Sequence, residues 1–304
     1  MEPLNEKPAW YTLLMVLLGG FVGFIVGNLV GVMVGYALYR GDGNFLQAVS
    51  NPDAYMVVPM LTMQGLISFF SFLAFPYLNW KIARHKSLRF FNAQPFYGQS
   101  IFFVVTIVLS FVVVDSIIIE WNQNIHLPEF LKWFEDWARA SEDRVSRLTK
   151  ILTQYQSFGE FLLGFVVIAV IAGVCEEFLF RGIIQNEFYR GTKNIHVAIW
   201  ISALLFSAIH MQFFGFVPRL LLGALFGYLY HWSGNIFVPM LAHIVNNGFS
   251  VVAVYLNQLG VIHVDMENEE AAPWYAVLLF ALIVTALIYY YNQFLIKKKA
   301  ADGR

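Results

Sequence analysis

Charge is scarce in this sequence. Only 13% of its 304 residues are Asp, Glu, Lys or Arg, about half the usual share of a soluble domain. The charges present nearly cancel, 19 basic against 20 acidic for a net of −1, which removes the electrostatic basis for nucleic-acid binding. Cysteine is almost absent. The single Cys175 excludes an intrachain disulfide and a cysteine-built metal site. A His-Glu-x-x-His helix is missing. So are a Gly-x-Gly-Asp run of the aspartyl type and a serine-type motif, because His231 stands where Ser233 would need a glycine two residues earlier. The segment Met1 to Trp10 lacks the basic and short apolar regions of a cleavable signal peptide. No internal repeat is visible, which disfavours a transporter built from inverted halves.

What the chain has is apolar length. Hydrophobic residues make up 59% of it and the mean hydropathy is +0.62, with several runs longer than the ~18 residues that signal a membrane helix. Eight spans are predicted, at about 10–39, 55–80, 99–121, 158–180, 195–216, 218–232, 236–259 and 274–295. The fold class is therefore all-α, a polytopic membrane helix bundle. The segment 121–159 is amphipathic, with Trp133, Phe134 and Trp137 among mixed charges, and reads as a surface helix. Lys81, Arg84, Lys86 and Arg89 form one basic loop, and Lys297 to Lys299 end the last span. The positive-inside rule puts both in the cytoplasm. An even number of spans then puts both termini there, with the acidic loop of Asp265, Glu267, Glu269 and Glu270 outside. Asp115 and Glu120 are expected at the exit interface of the third span.

The first span carries Gly19, Gly23, Gly27, Gly31 and Gly35. A period of four lines them along one helix face, where backbones can approach closely. Packing within the chain is the primary reading, and a homodimer through this face is the secondary one.

Three ionisable residues, Glu176, Glu177 and Arg181, close an apolar run. A charge near the bilayer centre costs at least about 2.5 kcal/mol, so such a group marks a functional site. Glu177 and Arg181, at i and i+4, share a helix face and are expected to pair. Glu176 is rotated about 100° away, left free to face a cavity and to act as a general base. Phe206 and His210 are also i and i+4, as are His243 and Asn247. An imidazole and an amide on one face can stabilise an oxyanion, and two histidines with a carboxylate can hold a water. In straight spans His210 would lie deeper than Glu176. A fourth span continuing as helix towards Arg190 would remove that mismatch, beside a water-filled cavity open to the cytoplasm.

Taken together, Glu176-Glu177-x-x-x-Arg181, Phe206-x-x-x-His210 and His243-x-x-x-Asn247 resemble the ordered motif set of the CPBP intramembrane proteases, which include the type II CAAX prenyl endopeptidases and bacteriocin-processing and immunity proteins. The resemblance implies a catalytic core at 158–256, between an N-terminal part at 1–157 and a last span at 257–304. It implies that Glu176 is the general base and that His210 helps hold the attacking water. His243 and Asn247 would stabilise the oxyanion, with Glu177, Arg181 and Phe206 in support. It leaves two mechanisms open, glutamate alone or a metal such as Zn2+ on Glu176, His210 and His243. The expected partners are the lipid bilayer and a protein or peptide substrate. A non-catalytic membrane scaffold is the alternative function.

Overall fold

The computed structural model describes residues 6–41, 43–52, 54–263 and 270–302. Glu2, Asp53 and the acidic-loop residues Asp265, Glu267 and Glu269 lie outside the described residues. Among the described residues nine longer helices carry the architecture: α1 (Ala9–Leu38), α2 (Val57–Arg84), α3 (Gln99–Gln123), α4 (Lys132–Leu152), α5 (Phe158–Thr192), α6 (Ile195–Ala208), α7 (Phe216–Ser233), α8 (Phe237–Gln258) and α9 (Trp274–Ala301). Among the described residues six are long and apolar enough to cross a membrane: α1, α2, α3, α5, α8 and α9. Large apolar side chains such as Leu18, Phe21, Leu282 and Tyr290 stand on the outside of the bundle, which suits a lipid environment.

Two of the eight expected spans are shorter elements. The fifth run ends as helix at Ala208, because the chain turns through Met211, a non-glycine residue with a φ of 54°. At about 1.5 Å per residue α6 is near 21 Å long, too short to cross alone. The helix α7 begins beside that turn and pairs with α6 along its length. The fourth span shows the opposite departure. Helix α5 continues through the polar stretch to Thr192, as the depth argument required. Its far end is fixed by buried Glu187, which accepts from Trp80 Nε1 at 3.3 Å, meets Arg84 Nε at 3.1 Å and receives Arg190 Nη2 at 2.5 Å.

Helix α5 is the central element. It packs against α2, α6, α7 and α8, with Phe178, Phe180, Ile183 and Ile184 buried together with Trp80, Phe91, Phe206 and Tyr230. A second core joins α3, α7, α8 and α9 through Ile107, Phe226, Leu229 and Tyr291.

The glycine stripe of α1 is filled by α2. An added Cβ at Gly23 would stand 2.1 Å from the Phe70 carbonyl oxygen, and one at Gly27 would stand 2.8 Å from Ile67 Cα. The intrachain reading of the stripe is the one the structure shows, with α2 packed on that face. Asp115 is corrected: it is buried in α3, not at an interface. Helix α4 lies across the end of the bundle near His210. Glu135 ties its first turn to the preceding loop, accepting from Leu127 N–H at 2.8 Å and from Arg139 at 2.8 Å. The Leu127 N–H, with Arg139, holds the Glu135 carboxyl down at about 2.

Candidate active site

The site begins with irregularity in α5. Its course alternates between α-helical turns and two π-helical stretches, Phe165–Ile171 and Phe178–Gln185, with Glu176 and Glu177 in the short α segment between them. Wide turns of this kind leave carbonyls poorly matched and recur at functional sites. Here side chains of α5 itself, α6 and α8 take those carbonyls up. Ser202 Oγ donates to Phe180 O at 2.8 Å, Asn186 Nδ2 to Gly182 O at 2.7 Å and Asn247 Nδ2 to Ile168 O at 2.9 Å.

Close approach of α8 brings the third motif in. A Cβ at Gly173 would meet Ile244 Cγ1 at 2.9 Å and Ile244 N at 3.1 Å. Only a hydrogen fits there, and this proximity lets His243 reach Glu177. His243 Nδ1 lies 2.8 Å from Glu177 Oε1, and Arg181 Nη1 donates to the same oxygen at 2.7 Å. Glu177 and Arg181 are wholly buried. The Arg181 guanidinium also donates to Gly223 O at 2.8 Å and lies over the Phe206 ring at 4.5 Å. A pair so buried survives only with such additional donors and acceptors around it. The expected Glu177–Arg181 pairing holds.

Glu176 is left apart, as the 100° rotation requires. Its side chain is 14% exposed, and its Oε2 stands 3.9 Å from His243 Nε2, outside hydrogen-bond range. The Nδ1–H of His210 donates to Phe206 O at 2.8 Å, which fixes the tautomer and leaves Nε2 as the free acceptor. The motif phenylalanine has a packing role between the two imidazoles. Its ring centre is 5.2 Å from that of His210 and 5.8 Å from that of His243. Asn247 stands one turn beyond His243, its amide engaged with Ile168 O and accepting from Asn246 at 3.2 Å.

Two expectations need amendment. A cavity of about 480 Å³ lies at the end of the bundle that carries the basic loop, lined by residues including Arg84, Gln185, Asn186, Arg190 and Tyr230. None of the four expected catalytic residues lines it, so it is not the cavity expected at Glu176. The metal candidates Glu176, His210 and His243 were also tested as a donor set. Among the described residues no three His, Cys, Asp or Glu side chains come together to hold a metal ion. As placed, Glu176, His210 and His243 do not make a zinc donor set.

Sequence reasoning missed a further layer. Gln185 donates to Gly227 O at 3.2 Å, one turn along from the Arg181–Gly223 bond. Arg219 donates through Nη2 to Gln212 Oε1 at 2.8 Å, and Gln212 Nε2 donates to Glu142 of α4 at 2.9 Å. The signal was a period of four, Arg219-x-x-x-Gly223-x-x-x-Gly227, matching Glu177, Arg181 and Gln185 on α5.

Comparison with known proteins falls on this same part of the chain. Residues 158–249 match the model of the family described as Rce1-like, type II CAAX prenyl endopeptidase. The chain is 29% identical over 109 residues to the uncharacterized protein YpbD of Bacillus subtilis (strain 168), covering 34% of this chain and 50% of that protein. It is 30% identical over 96 residues to the membrane-embedded CAAX protease MroQ of Staphylococcus aureus (strain USA300), covering 30% of this chain and 38% of that one. It is 31% identical over 87 residues to the putative membrane peptidase YdiL of Bacillus subtilis, covering 29% of this chain and 35% of that one. The matches thus span half or less of these relatives' own lengths. No solved structure matches the chain. The three motifs and the matched segment coincide, and over residues 158–249 the chain is similar to the Rce1-like type II CAAX prenyl endopeptidase family.

Proposed function

We propose that this protein is an intramembrane endopeptidase that hydrolyses peptide bonds of membrane-associated proteins or peptides, with Glu176 as the general base. One observation carries the reading. Of two adjacent carboxylates, Glu177 is engaged through Oε1 by both Arg181 and His243, while Glu176 makes no hydrogen bond among the described residues and keeps its carboxylate beside His243 Nε2. A structural ion pair needs only the first. The second, in an apolar setting beside His243, is placed for proton transfer.

In this reading His210 Nε2 accepts a hydrogen bond from the attacking water and Glu176 takes one of its protons. The water oxygen bonds to the peptide carbonyl carbon, and the carbonyl electron pair moves onto its oxygen. His243, held by Glu177, and the second amide hydrogen of Asn247 face the negative charge that develops. When the intermediate collapses the C–N bond breaks, and the leaving nitrogen takes the proton from Glu176. Peptide and water give one carboxyl and one amine product. The basic residues Arg84, Lys86 and Arg89 and Lys297 to Lys299 support a cell-membrane location with both termini cytoplasmic.

The test is cleavage of a quenched fluorescent peptide library by the purified protein in detergent. The wild type is expected to cleave, and Glu176→Ala and His243→Ala are expected not to. Unchanged cleavage by either variant would sink the mechanism. A wild type that binds but never cleaves would support the scaffold function instead.

A further inference from the structure

The oxyanion side of the site is short of donors. Asn247 has spent one N–H on Ile168 O and sits a full turn beyond His243, so a second, committed donor for the carbonyl oxygen is worth seeking.

Register supplies one. Helices α5 and α7 run side by side in the same direction, with Arg181 on Gly223 O and Gln185 on Gly227 O. One turn earlier in both helices the same ladder sets Arg219 level with Glu177, the neighbour of Glu176. The guanidinium interacts electrostatically with Glu176, His210 and Glu142. It is held from one side only. Nη2 donates to Gln212 Oε1 at 2.8 Å and lies against Gly215, where an added Cβ would come within 3.0 Å. Gln212 is itself fixed by Glu142 Oε2 at 2.9 Å, whose other oxygen accepts from Phe214 N–H at 2.9 Å. Nη1 of Arg219 is buried and has no hydrogen-bond partner among the described residues. An orphaned buried donor on a charged group is costly to leave unpaired. A group pinned by a relay of two side chains, with one buried N–H left bare and its charge felt by Glu176, is a group waiting for an acceptor.

We infer that Arg219 is a catalytic residue of this site, its Nη1–H donating to the scissile carbonyl oxygen as that oxygen becomes anionic. The inference rests on the hydrolytic reading above. The N–H is donated and not transferred, so the proton balance through Glu176 is unchanged. Gln212 and Glu142 are positioning residues. Through them the surface helix α4 sets the aim of the guanidinium. Glu177–Arg181 is already balanced, so Arg219 also offsets the charge of Glu176 in its apolar surroundings.

The experiment measures kcat and KM of the full-length protein in detergent on the best peptide from the library, for wild type, Glu176→Gln, Arg219→Gln, Arg219→Lys, Gln212→Ala and the double variant Arg219→Gln/Gln212→Ala. Loss of one such donor lowers kcat by about 10²- to 10³-fold. That is the fall expected for Arg219→Gln, with KM nearly unchanged, while Arg219→Lys falls between the two. Gln212→Ala lowers kcat in the wild-type background and adds nothing in the Arg219→Gln background. A purely structural role would shift melting temperature without that epistasis. If Arg219→Gln does not fold, the Lys variant and Gln212→Ala carry the kcat test. An active wild type, an inactive Glu176→Gln and Arg219 variants at full kcat would overturn this inference alone. A wild type without turnover would overturn it together with the hydrolytic reading.

Discussion

At the scale of single residues the site is a division of labour between neighbours of the same type. Glu177 accepts from two cationic or polar donors and is sealed from solvent, and Glu176 is open. The two should answer differently to substitution. Removing one partner of a buried ion pair costs about 3–5 kcal/mol. Arg181→Leu is therefore expected to lower stability by that order in a detergent melting series, with loss of activity as a consequence. Glu176→Gln should leave melting close to wild type and remove turnover. Asn247→Leu strips Ile168 O of its donor and is expected to cost about 1–3 kcal/mol, which chemical denaturation would measure. Much of this set was legible in the sequence. Two carboxylates and an arginine in an apolar run announce themselves, and the i, i+4 spacings correctly put Glu177 with Arg181. The engagement of Asn247 was not legible, because its partner is a backbone carbonyl 79 residues away that only a π-helical turn makes available.

Elements were readable where hydropathy and helix agree; where they part, the depth of His210 foretold the long α5 and nothing foretold the short α6. Helix α5 continues for three turns past Phe180 because Asn186 and Arg190 find partners within the fold, so polar residues there do not mark a loop. The run after Ile195 stays apolar through Phe216, yet its helix stops at Ala208. Hydropathy is blind to a reversal built on Met211 and Gly215. The glycine pattern was more informative. Gly23 meets backbone of α2, so Gly23→Ala should destabilise the α1–α2 pair and lower the melting temperature. Gly20, which faces Ser71 O at 3.2 Å, should tolerate alanine better. Gly173→Val would overpack the α5–α8 contact by about 1–3 kcal/mol and push His243 away from Glu177, so activity should fall more than stability. On α4 the Glu135 carboxyl is held at about 2 against an ordinary 4.5. Its folded value is depressed, so its bonds contribute fully above about pH 4.5 and are lost as pH falls towards 2. Hydrogen exchange at Leu127 should quicken over that window, and an unchanged rate would remove Glu135 from the clamp.

For the whole molecule the account makes one protein of two uneven parts, a glycine-zipped pair α1 and α2 and a core wound around α5. Orientation follows from basic residues at one end. Cys175 is buried and is the chain's only cysteine, which makes labelling clean. Lys86→Cys should react with an impermeant thiol reagent only from the cytoplasmic side, and Glu129→Cys only from outside. The reverse pattern would invert the topology without touching the site. The central claim, that a glutamate-activated water does the hydrolysis, is tested most directly by one assay on one preparation. Peptide turnover is measured for wild type and for Glu176→Gln, each with and without phenanthroline. The account predicts wild-type turnover that survives the chelator, and a fall of about 10³-fold or more in Glu176→Gln, at the scale of general-base catalysis. Turnover abolished by chelator and restored by zinc, or a Glu176→Gln protein that cleaves at the wild-type rate, would contradict it.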